Sequence, residues 1–164
     1  RRGQGKGPAI NGRRRVGMPD KSNRTVRPTT SSISALRRAI REAERILPGT
    51  PARDGQVDPR WQAVIRVGSF IETFPNEVWV FTLQWAKHAQ ADLRAAVATC
   101  LLEHLLERHF DDMFRRVREA ALSSPRFADT LSRCSLPGDP ASAPDVEKLR
   151  RLQARVSRKA SARR

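Results

Sequence analysis

The stretch ADLRAAVATCLLEHLLERH, Ala91–His109, decides the fold class. Leu93, Ala96, Val97, Cys100, Leu101, His104 and Leu105 recur at spacings of three and four, which gathers them on one face of a helix. Ala98, Leu102, Leu106 and His109 add a second face. A helix that is apolar around most of its circumference has to be packed between other helices. The core is therefore expected to form around this segment.

Working outward, the neighbouring segments repeat the helical period. Pro75-Asn76 is expected to break the chain, with Asn76 capping a helix from Glu77 to His88 whose apolar stripe is Val78, Phe81 and Trp85. Upstream, Asp58-Pro59 gives a capping acid followed by proline at the first helical position. That helix is expected to reach Phe74 and to bury Trp61, Val64, Ile65, Gly68, Phe70 and Ile71. Downstream, Asp111-Asp112 caps a helix to Leu122, and Ser123-Ser124-Pro125 starts a short one ending near Cys134. Further out, Ser32 or Ser34 is expected to cap a helix through Leu47, stopped by Pro48-Gly49. Asp145 caps a last amphipathic helix carrying Val146, Leu149, Leu152 and Val156. No stretch alternates as a strand would. The expected class is all-α, with antiparallel helix pairs stacked as a short α-solenoid and basic, flexible ends.

Charge divides the chain in the same places. Residues 1–60 hold fifteen Lys/Arg against five Asp/Glu, residues 61–134 hold nine of each, and residues 135–164 hold eight against three. All three Trp, all six Phe and all three His fall in the neutral middle. This predicts a disordered basic arm over 1–32, a helix and linker over 33–57, a helical body over 58–134, and a linker with a basic, exposed helix or tail over 135–164. The arm is too poor in large apolar side chains to offset its ordering entropy. Arg outnumbers Lys 27 to 5, a bias that GC-rich coding alone can produce. A chain opening on Arg rather than Met is expected to be a fragment or a processed product.

Several classes are excluded. Two cysteines, Cys100 and Cys134, support neither a disulfide framework nor a four-cysteine zinc site. A reducing, cytoplasmic setting is expected. The longest apolar run contains Glu103 and His104, so no membrane span is expected. Nothing calls for a cofactor, no signature names a reaction, and a non-enzymatic role is expected.

The segment Asn76–His109, with AQADLRAAVATCLLEHLL opening its second helix, resembles the HEAT-type repeats. Those repeats pair an A helix with a B helix and place an Asp and an Arg near the start of B, as Asp92 and Arg94 stand here. The resemblance is good over 76–109 and looser over 58–134. It implies that Arg94 reaches the acid of a stacked neighbour in a ladder, and that the surface serves a protein or nucleic-acid partner. The flanking pairs are read as lacking a second Asp-x-Arg, with Asp58-Pro59 read as a helix cap alone. Trp79 and Trp85 beside Asp92 also resemble the HEAT-like alkylpurine DNA glycosylases, which implies an alternative role in nucleic-acid repair. The neutral body departs from that family's basic cleft.

Three sets of residues carry the candidate chemistry. Arg13, Arg14, Arg15, Lys21, Arg24 and Arg27 form a Gly/Pro-spaced basic tail suited to phosphate contact with nucleic acid, or to another acidic partner. The tail has no aromatic residue on which a base could stack. Trp79 and Trp85 are six positions apart, so one is expected to face outward as an anchor for a protein partner. Cys100, His104 and Glu107 lie on one helix face with zinc-ligand side chains, but a core cysteine and a hydrogen-bonded histidine are the favoured reading.

Overall fold

The computed structural model describes residues 29–53, 55–135 and 143–162. Among them every regular element is helical. Helix α1 (Thr30–Ile46) begins earlier than expected because Thr29, not Ser32 or Ser34, is its cap. The Thr29 hydroxyl accepts the Ser32 amide while the Ser32 hydroxyl accepts the Thr29 amide, satisfying two orphan donors at once. The last residues assigned to the arm are therefore helical. The disorder expected for 1–28 lies outside the described residues.

Three helices start with proline at the first position, where its missing N–H costs nothing. They are α2 (Pro59–Gly68), α3 (Pro75–Trp85) and, further on, α7 (Pro125–Ser132). Asp58 caps α2 as expected, but α2 stops at Gly68 rather than at Phe74. Pro75 rather than Asn76 opens α3, and the Asn76 side chain instead accepts a bond from Arg116 at 2.8 Å.

The decisive segment folds as α4 (Ala91–Val97), a π-helical turn (Ala98–Leu102) and α5 (Glu103–Arg108). Its two apolar faces are both covered: Leu93, Ala96, Val97, Ala98, Leu101, Leu102, Leu105 and Leu106 are all buried. α2 and α3 both pack on α4 and on the π turn. So does α7, and α6 (Phe110–Ser123) joins α5 to α7. Gly68 marks the tightest approach. A Cβ there would lie 2.9 Å from the Cys100 carbonyl oxygen, so only glycine lets α2 end against the π turn.

Both outer helices belong to this packing. α1 lies on α2 with Leu36, Ala43 and Leu47 fully buried. α8 (Ala143–Ser161) lies on α6 and α7 with Leu149, Leu152 and Val156 buried. The expectation of an exposed C-terminal helix or tail is thus corrected. Polar contacts fix α8 as well: Gln153 donates to the carbonyls of Leu131 and Cys134 at 2.9 and 3.0 Å, and Lys159 donates to that of Leu122. The Leu122 and Leu131 carbonyls lie in the last turns of α6 and α7, and that of Cys134 lies just beyond α7.

Within the α2 face the buried set is Ala63, Val64, Val67 and, after the helix, Ile71. Ile65, expected inside, is 47% exposed, and Trp61 and Phe70 are half-buried. No helix among the described residues is long and apolar enough to cross a membrane.

Candidate functional site

A line of charged side chains joins α2, α4 and the middle of α7. Arg60, one residue into α2 beyond Pro59, is 1% exposed. Its guanidinium donates to Asp58 (Nη2 to Oδ2, 2.8 Å), to the Gln90 side chain (3.1 Å) and to Asp92 at the start of α4. Arg94, one turn into α4, donates to the His88 and Ala89 carbonyls at 2.8 and 2.7 Å, and from Nε and Nη2 to Asp129 of α7 at 2.9 and 2.7 Å. Asp129 also accepts from Arg133 at 3.1 Å. The ladder thus links α2 to α4 and α4 to α7.

Planar guanidinium forks suit this task, because each satisfies several acceptors in fixed directions. The carboxyls respond. The bond from Arg60 holds Asp58 below its ordinary range against the opposing effect of burial. At Asp92 and Asp129 burial pushes upward most strongly. The bonds from Arg60 to the first, and from Arg94 and Arg133 to the second, outweigh it and lower both. Arg60 is raised, first by its bond to Asp58. All three acids stay ionised at neutral pH.

Arg94 meets the acid of a neighbouring helix, Asp129. Arg60 and Asp129 were not anticipated. Asp58-Pro59-Arg60 is a second Asp-x-Arg, two helices before Asp92-Leu93-Arg94. The repeated spacing was the available signal, masked because Asp58-Pro59 already has a sufficient explanation as a cap. Asp129 has no local signal, since its role comes only from α7 packing beside α4.

The tryptophans do not form an outward anchor. Trp79 and Trp85 are 6% and 7% exposed. Trp79 meets Phe127 of α7 edge-on at 6.0 Å, and Trp85 packs with Phe81 and His88. The expectation that one of them faces outward is corrected: α3 is covered on two sides, so a six-residue offset still leaves both inside.

Nor do Cys100, His104 and Glu107 gather around one point. His104 Nδ1 donates to Glu107 Oε2 at 3.0 Å, while the Cys100 sulfur lies 3.6 Å from the Thr99 hydroxyl. No three His, Cys, Asp or Glu side chains converge as a metal site among the described residues. Cys100 and His104 line, with Ile65, Ile71, Thr99 and Arg108, an open groove of about 580 Å³ beside the π turn. Burial pushes the Cys100 thiol up, so it is a neutral thiol rather than an activated nucleophile. Arg13, Arg14, Arg15, Lys21, Arg24 and Arg27 lie outside the described residues.

No protein-family model, curated protein or solved structure matches this chain.

Proposed function

We propose that the chain is a non-enzymatic helical-repeat interaction module of HEAT-like construction. Its helical body binds a protein partner, and its basic segments add electrostatic contact to nucleic acid or another acidic surface. The observation that carries the repeat reading is the ladder, in which Arg60 of α2 meets Asp92 of α4 and Arg94 of α4 meets Asp129 of α7. Joining helices in this way lets stacked pairs keep register while the remaining helix faces stay available for a partner. The base-excision alternative draws no support from Trp79 and Trp85, which are buried, or from Asp92, which is held by Arg60.

The basic segments are tested by binding the full chain, and a chain starting at Thr29, to mixed-sequence DNA at two salt concentrations. The Thr29 start preserves the α1 cap. The full chain is expected to bind with an affinity that falls steeply with salt, and truncation to weaken binding and flatten that dependence. Equal affinity for the two chains removes the arm from the proposal.

A further inference from the structure

The second groove of interest lies between α6 and α8. Phe114 and Arg118 form its α6 wall, and Lys148, Arg151, Leu152 and Arg155 form its α8 wall, around a volume of about 250 Å³. Four of its six lining residues are cationic and none is acidic. Two of the cations are partly neutralised from outside: Lys148 bonds Asp145 at 2.9 Å and also feels Asp111, and Arg151 bonds Glu147 at 2.8 Å. Arg118 and Arg155 make no ion pair among the described residues.

The spacing matters as much as the charge. Lys148, Arg151 and Arg155 sit at intervals of three and four on one face of α8, spread over about 10 Å at 1.5 Å per residue. That is a track for a run of anionic groups rather than a cradle for one. An aromatic ring stands beside it. Phe114 stacks on Phe110 with ring centroids 4.9 Å apart, both rings are half-buried, and Lys148 lies 5.5 Å from the Phe110 centroid. A cationic track flanked by an accessible ring combines the two elements that hold single-stranded nucleic acid: backbone neutralisation and base stacking. The N-terminal arm has the first and lacks the second.

We propose that the α6–α8 groove binds the phosphodiester backbone of single-stranded nucleic acid, with Arg118 and Arg155 on the phosphates and Phe114 against a base. This rests on the nucleic-acid half of the function proposed above and gives it a structured site. The charge complementarity is local, because the ladder arginines are already occupied by carboxylates and carbonyls.

The test is the affinity of the full chain for labelled oligothymidylate across a salt series, for the parent and three variants. Arg118→Ala with Arg155→Ala is expected to lower affinity about ten-fold at low salt and to flatten the log–log salt slope by about 1.4, the value for two lost phosphate contacts on a single strand. Arg37→Ala with Arg41→Ala removes the same charge from the exposed face of α1 and is expected to stay within about two-fold of the parent. Phe114→Leu is expected to cost about five-fold or more, the range for losing one stacked base. Should the arginine pair melt below the parent, Arg118→Gln with Arg155→Gln repeats the measurement with neutral polar side chains that keep part of the aliphatic stem.

If the groove pair and the α1 pair lose affinity equally, the groove assignment is overturned and the wider function stands. If the parent does not bind the oligonucleotide at all, the nucleic-acid half of that function falls too. Polyglutamate, or vesicles of phosphatidylserine in phosphatidylcholine, displacing the oligonucleotide at equal charge concentration would overturn the assignment in favour of an acidic protein or a lipid surface.

Discussion

Two groups of arginines in this protein have opposite surroundings. Arg60 of α2 and Arg94 of α4 are enclosed by carboxylates and carbonyl oxygens, and their side chains are 1% and 12% exposed. Arg118 and Arg155 line a groove whose walls contain no acid. The residue type is the same, and composition alone cannot separate the two. The partners do. An arginine whose fork is held by carboxylates and carbonyls on neighbouring elements holds helices together, whereas one whose donors face an open channel is available to a ligand.

The contrast can be broken most forcefully at Arg60. Arg60→Ala leaves Asp58 and Asp92 without their shared cation and is expected to cost about 2–4 kcal/mol in thermal or denaturant unfolding, below the ceiling for fully buried pairs because Asp92 keeps solvent contact. Removing both ladder acids along with the arginine (Arg60→Met, Asp58→Asn, Asp92→Asn) is expected to recover part of that loss. A single Arg60→Ala variant with the parent's melting temperature would reduce the ladder to surface decoration.

Acid offers a gentler probe of the same region. Asp58, Asp92 and Asp129 are each lowered in the folded state, so each contributes stability that is present above its unfolded value and lost as pH falls through the folded one. The melting temperature is expected to hold from pH 7 to about 5 and to drop below about pH 4. In Asp129→Asn the drop is expected to be shallower. Circular dichroism melts across that range check both statements.

The smallest expected effect sharpens the comparison from the other side. Arg118→Ala with Arg155→Ala is expected to leave the melting temperature unchanged, since no partner is left unsatisfied by the loss. A large destabilisation there would place these arginines with the ladder instead.

The legibility of this fold follows the same division between local and distant causes. The helical class, the central position of Ala91–Arg108 and most helix starts are local, written in spacing, caps and prolines. Charge is a poor guide to which helices pack inward. The apolar stripes of α1 and α8, not their basic faces, decide that both pack inward. The π turn left no trace in the pattern, since a segment apolar on two faces tolerates a widened turn without exposing anything. Arg60 was hidden behind a good capping explanation, and Asp129 acquires its role only when α7 is laid beside α4. The α6–α8 groove joins residues far apart in the chain, so no local spacing marks it.

The most direct test of the stacked-repeat account is a double-mutant cycle between Arg94 and Asp129, read by unfolding free energy. A ladder rung that joins α4 to α7 predicts a coupling of about 1–2 kcal/mol, because the two side chains share bonds and each loses them when either is removed. Two substitutions that add without coupling, within about 0.3 kcal/mol, would contradict it.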